Sequence, residues 1–304
     1  MLSLLAITVT QLTTFLAVVR GGSVTAAAEE LVVTQPSVSS AVAALGRELG
    51  CELFERAGRG IRLTEAGAAF QPYAADVVGL LEDGRRAARE AVELLASQLR
   101  IAAVTTAAES FVPPLMRAFT SRHPDIELTL DVGNRDYVFE RVRSHQADVA
   151  ISGKPPGDEG LIAEPLLENR IACITSPDDA AAAGRSVDGM QLADRAWLLR
   201  EPGSGTRALC EEFLKDRGLK PKTFTLGSNG AIKQAARAGL GVSLLPRAAV
   251  EPELTSGWLG EIPLADGPAP RPWYLLRSSV GPIRPASAAF AEFVRAEASG
   301  LTST

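Results

Sequence analysis

The chain has 304 residues, 46% of them hydrophobic and 22% charged, an ordinary globular composition with room for two or three domains. Three widely spaced cysteines, Cys51, Cys173 and Cys210, form no CxxC pair, and no apolar run approaches the ~20 residues of a membrane helix. A disulfide framework, a metal site and a membrane span are therefore not expected, and the net charge of −5 excludes a uniformly basic nucleic-acid binder, leaving only a locally cationic one.

The apolar opening up to Val19 lacks a positively charged start and is broken by Thr8, Thr10, Gln11, Thr13 and Thr14, unlike a secretory leader. Leu12, Phe15, Leu16 and Val19 recur instead at helical spacing, and a cytoplasmic protein is expected. This first helix ends at Arg20, before Gly21-Gly22. Ser23 is placed to cap a second helix with Val24, Ala27, Ala28 and Leu31 on one face. Thr34 caps a third, with Pro36 tolerated in its first turn and Gly50 as its stop. Val38, Val42, Leu45 and Leu49 define the buried face of that helix, which leaves Gln35, Ser37, Ser39, Ser40, Ala43 and Arg47 on other faces. Two helices joined by a tight turn, the second led by small polar side chains, make a helix-turn-helix, although the same caps serve any helical bundle. Leu53–Arg56 and Ile61–Thr64 around Arg59-Gly60 then predict a hairpin wing. No acid separates Arg56, Arg59 and Arg62, so they read as a cationic finger for phosphate or a narrow minor groove.

From Thr64 to about Gln98 the sequence predicts one long helix, bent at Pro72. Phe70, Tyr73, Val77, Leu80, Gly84, Ala87, Ala91 and Leu94 alternate at spacings of three and four, as in a coiled-coil seam or the buried side of a core helix. Beyond Leu99 the texture alternates: strands at Arg100–Val104, Ile126–Val132 and Val149–Ser152, helices at Phe111–Arg122, Asp136–His145, Gly205–Asp216 and Ala231–Ala238. Such alternation predicts an α/β domain with largely parallel sheets, whose ligands sit at strand carboxyl ends beside helix N-termini. Three loops fit that rule: Thr105-Thr106, Gly133-Asn134, and Glu201-Pro-Gly-Ser-Gly-Thr206. The last offers free N–H groups and two hydroxyls to an anion, unless Ser204 and Thr206 are only helix caps.

FLAVVRGGSVTAAAEEL, TQPSVSSAVAALGRELG, LFER and LTEAG, in that order from Phe15 to Gly67, resemble the DNA-binding domain of LysR-type transcription regulators. The resemblance implies that Gln35, Pro36, Ser37, Ser39 and Ser40 meet the major groove or its phosphates, and that Arg56, Arg59 and Arg62 reach backbone or minor groove. Ser23, Thr34 and Arg47 complete the expected DNA-facing set. Ser40 stands where relatives often carry Arg, which implies fewer charged contacts from this helix. IAAVTTAAESFVPPL, HPDIELTLDVGN, ADVAISG, REPGSGTR and GSNGAIKQAARAGLGVSLLP are similar to the family's effector-binding domain, which itself resembles periplasmic solute-binding proteins.

The implied fold class is α/β with an all-α winged helix-turn-helix N-terminal domain, the effector domain being two α/β subdomains with a cleft between them. Expected boundaries are 1–64 for the reader, 65–98 for a linker and dimerisation helix, and 99–304 for the effector domain. Within that domain, subdomain I is expected at about 99–174 and 271–304, and subdomain II at about 175–270. Thr105, Thr106, Asn134, Gly153, Lys154, Ser204, Gly205, Thr206 and Asn229 are the expected effector contacts, with Lys154 either a cation at the cleft mouth or an exposed loop lysine. Val104 replaces a hydroxyl residue frequent in relatives. The REPGSGTR segment is similar to that of regulators of carbon fixation and sulphur assimilation, whose inducers are small anions. Operator DNA, a small anionic effector, a second copy of the chain (with pairing into a tetramer) and RNA polymerase are the implied partners, with no cofactor.

An enzyme is not expected. His123 and His145 neighbour no plausible nucleophile, Gly203-Ser204-Gly205 lacks GxSxG spacing, and no HExxH, P-loop or dinucleotide fingerprint occurs. A free solute-binding protein would account for the C-terminal part alone, but not for the winged reader in front of it.

Overall fold

The computed structural model describes residues 6–58, 60–93, 97–157, 160–179, 181, 182 and 184–301. Two compact units emerge, one of Met1–Leu95 together with Arg143–Gln146, the other of Ala96–Val142 and Ala147–Thr304.

In the first unit Thr8 opens α1 (Val9–Gly21) through a capping box with Gln11, and Gly22 closes it in the left-handed conformation. Ser23 Oγ accepts from Ala26 N to start α2 (Val24–Leu31). Thr34 starts α3 (Gln35–Leu49), which ends at left-handed Gly50. The hairpin β1 (Phe54–Ala57) and β2 (Gly60–Leu63) pairs Phe54 with Leu63 and Ala57 with Gly60. Phe15 is fully buried between Phe54 and Phe70, at ring-centroid distances of 5.3 and 5.6 Å, among Leu12, Leu45, Leu53 and Ala74. An aromatic at such a centre is worth about 3–5 kcal/mol relative to alanine, so Phe15 anchors α1 to both the wing and the next helix.

That helix, α4 (Glu65–Glu93), carries Pro72 inside it. It stops short of the expected end near Gln98. Ser97 and Gln98 lie instead in the following strand, where pairing with Ile126 and Glu127 takes their backbone hydrogen bonds. Phe70 also departs from the expected seam: it faces the core with Ala74 and Val78. The exposed apolar stripe is Tyr73, Val77 and Leu81, and Leu94 lies outside the described residues. Lower on α4, Gly79 lets the ring of His145 approach, since a Cβ there would meet His145 Cβ at 2.5 Å. His145 is buried, with Nε2 3.0 Å from Asp76 and Nδ1 3.5 Å from Asp83.

The second unit begins with β3 (Ser97–Val104), α5 (Thr105–Ala108), α6 (Val112–Arg122), β4 (Ile126–Gly133), α7 (Arg135–Arg143), β5 (Val149–Ser152) and β6 (Leu161–Asn169). α7 stops before the expected His145, which adopts a left-handed φ of 56° and cannot extend it. After Arg170 the chain enters another lobe: β7 (Ile171–Thr175), β8 (Trp197–Leu199), α8 (Gly205–Asp216), β9 (Thr223–Thr225), α9 (Asn229–Arg237), β10 (Ser243–Pro246), α10 (Glu251–Thr255) and β11 (Gly260–Glu261). It returns through β12 (Arg271–Ser278) and α11 (Pro285–Leu301).

The first lobe holds a five-stranded sheet, β4-β3-β5-β12-β6, over Leu99, Ile101, Phe119, Ile151 and Phe290. The second holds β10-β7-β11 and β8-β9 around Trp197, Phe213 and Leu244. The sheets are mixed rather than largely parallel. β3 pairs in parallel with β4 and β5, whereas β12 is antiparallel to β5 and β6, and β7 to β10 and β11. The reason lies in the two crossings between lobes. β6 leaves and β12 returns side by side, with Asn169 opposite Arg271, so the crossing falls at Arg170, a few residues before the expected boundary near 174.

Candidate nucleic-acid interface and ligand cleft

On α3 the apolar periodicity turns Val38 and Leu45 inward and leaves Gln35, Pro36, Ser37, Ser39, Ser40 and Arg47 exposed. Thr34 and Ser37 are tied into the cap, with their hydroxyls 2.8 Å apart, while Ser23 Oγ is engaged on α2. These residues can therefore meet a phosphate through backbone N–H groups at helix starts, whereas Gln35, Ser39 and Ser40 have side chains to offer. The cationic finger is weaker than its sequence. Strand register sets Glu55 opposite Arg62, and Arg62 Nε donates to Glu55 at 2.6 Å. Arg20 is paired with Glu30. Arg47 and Arg56 make no ion pair with a described residue, and Arg59 lies outside the described residues.

A cavity of about 420 Å³ opens between the two lobes of the second unit, within the range of small-molecule sites. The ends of β3, β4 and β5 deliver Thr105, Thr106, Asn134, Gly153 and Lys154 to it, and the start of α8 delivers Ser204, Gly205 and Thr206. Eight of the nine expected contacts thus converge there. Asn229 does not: it is fully buried behind the wall, bonded to Arg200 and Glu109. Asn134 Oδ1 accepts from Tyr137 N at 2.9 Å and so caps α7. Ser204 makes no side-chain cap bond, although it occupies the N-cap of α8, so its hydroxyl remains available beside the helix N-terminus. Gly203, at φ +83°, lets the two lobes meet above the cavity, since a Cβ there would lie 2.9 Å from Asp136 Oδ2 and 3.1 Å from Asn134 Nδ2.

Several lining residues were not foreseen. Arg135 follows Asn134, Arg200 precedes the Gly203–Thr206 loop, and Asn169 and Arg271 come from the paired crossing strands. Arg135, Lys154, Arg200 and Arg271 oppose a single lining carboxylate, Glu212, which accepts from Arg271 Nη2 at 2.6 Å. Arg200 is only 4% exposed, its Nε and Nη2 donating to Glu201 at 2.7 and 2.8 Å. Burial by itself would raise the Glu201 carboxyl; the Arg200 guanidinium, a backbone hydrogen bond and the nearby charge of Arg207 together outweigh it and hold that group below the usual range. Lys154 makes no ion pair with a described residue. Ser152 Oγ, Asn169 Oδ1 and Arg135 Nε, all on lining residues, are buried without a hydrogen-bond partner. Buried polar atoms are mostly paired with protein or water, so a water or a ligand group can satisfy these three.

Residues 9–68 match the family described as bacterial regulatory helix-turn-helix protein, lysR family, and residues 93–299 match the LysR substrate binding domain. The chain is 36% identical to the RuBisCO operon transcriptional regulator of Allochromatium vinosum over 96% of each chain. It is similar to the CcmR regulatory domain of Synechocystis PCC6803, solved in complex with 2-PG, at 29% identity and a TM-score of 0.63, over 66% of this chain and 97% of that one. Full-length CbnR complexed with its target DNA shares the fold at 24% identity and a TM-score of 0.60, over 95% of this chain and 99% of that one.

Proposed function

The chain belongs to the LysR family of transcription regulators, and from that premise we propose that its operator binding responds to a small anion held in the cleft between the lobes. It is a DNA-binding regulator with an effector-binding domain, not an enzyme. One observation carries the choice of an anion: four cationic side chains line the cavity against one carboxylate. The open N-terminus of α8, with an unengaged Ser204 hydroxyl, favours the same sign of charge. The relative solved with 2-PG, a two-carbon acid carrying a phosphate, suits this reading.

In this proposal Gln35, Pro36, Ser37, Ser39 and Ser40 meet the major groove, and Arg47, Arg56, Arg59 and Arg62 meet phosphates or the minor groove, with the starts of α2 and α3 at Ser23 and Thr34 on the backbone. Thr105, Thr106, Gly153, Lys154, Ser204, Gly205 and Thr206 hold the anion together with Arg135 and Arg200. Two copies pair through the exposed stripe of α4 and two such pairs form a tetramer, with the reader at 1–64, the linker helix from 65 and the effector domain behind it. Anion binding shifts one lobe against the other and alters operator bending and contact with RNA polymerase in the cytoplasm. Such coupling amounts to about 1–3 kcal/mol between the two ligands.

A thermal-shift screen of the full-length protein tests the anion. 2-Phosphoglycolate, phosphate, sulfate and small carboxylates are compared with their uncharged analogues at fixed ionic strength. A ligand of the native state raises the melting temperature in proportion to the logarithm of its concentration. If only uncharged compounds raise it, the anion reading fails. Gel shift and footprinting on the DNA beside its own gene, with and without the best anion, then test the response. Identical footprints in both states would refute the coupling.

A further inference from the structure

Asn229, the first residue of α9, is fully buried, and both ends of its carboxamide are in use. Oδ1 accepts from Arg200 Nη1, and Nδ2 donates to Glu109 Oε2 at 2.9 Å. The neighbours settle which end is which, because a guanidinium only donates and a carboxylate only accepts. Arg200 and Asn229 belong to the second lobe. Glu109 follows α5 in the first lobe and does not line the cleft. A continuous polar chain thus runs from a carboxylate of one lobe, through a buried amide, to an arginine in the ligand-facing wall of the other.

Arg200 has five N–H donors. Nε and one hydrogen of Nη2 are taken by Glu201, and one hydrogen of Nη1 by Asn229. One N–H is left on each terminal nitrogen, the number needed for bidentate contact with a carboxylate or phosphate. Which hydrogens remain depends on Asn229 holding Nη1, and Asn229 is itself held from the other lobe.

We infer that Glu109 and Asn229 are positioning residues for the effector: they present the free edge of Arg200 to the anion and couple that presentation to the apposition of the lobes. The inference rests on the anion reading of the cleft. The expected effect at Glu109 has an unexpected sign. By charge alone, deleting the Glu109 carboxylate would strengthen binding of an anion nearby. As a positioning residue, its deletion weakens binding.

The test is calorimetric titration of the full-length protein with 2-phosphoglycolate and with sulfate, at constant ionic strength, for wild type, E109A, E109Q and N229A. E109A and N229A are expected to lose about three- to tenfold in affinity, the weight of one intramolecular hydrogen bond. E109Q keeps a carbonyl acceptor for Asn229 Nδ2 and is expected to stay within about twofold of wild type. Glu109 is exposed, so E109A and E109Q remain informative even if the buried N229A fails to fold. Unchanged or tighter binding by E109A overturns the inference, as does E109Q binding as weakly as E109A. A wild-type protein that binds neither anion brings down the anion reading and this inference together, whereas binding with no effect at Glu109 brings down this inference alone.

Discussion

Ser204 and Ser23 occupy the same position on their helices and are expected to behave differently when replaced. Ser23 Oγ accepts from Ala26 N at 3.1 Å, so Ser23→Ala is expected to cost about 1 kcal/mol in a urea titration. Ser204 makes no such bond, so Ser204→Ala is expected to leave the unfolding midpoint nearly in place while weakening the best anion about three- to tenfold by calorimetry. A stability loss equal to that of Ser23→Ala, with affinity intact, would return Ser204 to an ordinary cap. Arg56 offers a second contrast. It has no ionic partner among the described residues, whereas Arg62 is held by Glu55. Arg56→Ala is expected to weaken specific and unrelated DNA alike and to lower the slope of log K against log salt by about 0.9 for each phosphate that is no longer neutralised. Arg62→Ala should do less, and equal slopes for the two variants would show that Glu55 gives Arg62 up freely.

Residue identities at the cleft were legible where the rule that finds them is local. Thr105, Asn134, Lys154 and Ser204 stand at strand ends or helix starts, and such positions can be picked from a short window. Arg271 and Asn169 were hidden, because antiparallel register between distant segments brings them together. Glu55 compensates Arg62 for the same kind of reason, one hairpin wide. Asn229 was expected by motif as an effector contact, and no short window shows that Glu109 and Arg200 close over both ends of its amide.

At the scale of elements, α4 shows why a three-four repeat leaves faces ambiguous. Phe70, Ala74 and Val78 run one residue out of phase with Tyr73, Val77 and Leu81, and both stripes are apolar. One packs on the winged domain and the other is exposed, so a single seam drawn through the sequence mixes them. The same helix holds His145 between two of its carboxylates. The hydrogen bond to Asp83 raises its imidazole above the ordinary value, against burial, which lowers it, and Asp76 adds to the rise. With a carboxylate near each ring nitrogen, the protonated ring donates to both. A folded pKa above the unfolded value of about 6.5 means that this stabilisation is fully present below that value and is lost as pH rises through the folded pKa. The thermal midpoint is therefore expected to fall across that window in the wild type and to fall less in His145→Ala. Asp83 keeps Arg86 as a partner at 2.9 Å, so the variant does not strand that carboxylate. Equal slopes in the two proteins would remove His145 from the pH response.

The whole molecule joins a reader to a sensor, and a single reader has little to hold with. Among the described residues its face offers Arg47 and Arg56 without ionic partners, Ser40 supplies a hydroxyl rather than a charge, and the chain carries a net −5. Affinity for an operator must then come from doubling the reader. Two linked modules bind the second half-site as an intramolecular event, which can raise avidity by about 10²–10⁴ with no new kind of contact. In the proposed pairing the surface for doubling is the outer stripe of α4, where Tyr73, Val77 and Leu81 are 68%, 51% and 44% exposed. Apolar side chains in such a row are the pattern of an unpartnered coiled-coil face. Val77→Glu or Leu81→Glu places like charges against each other across a symmetric pair, without touching the inner stripe that packs on Phe15. Sedimentation equilibrium is expected to show the wild type as a dimer or larger and these variants shifted toward monomer. Their affinity for a two-half-site operator should fall by at least about tenfold, while binding to a single half-site and the anion-induced thermal shift are retained. A variant that stays dimeric and holds the operator as tightly as wild type would move the pairing surface off this helix face.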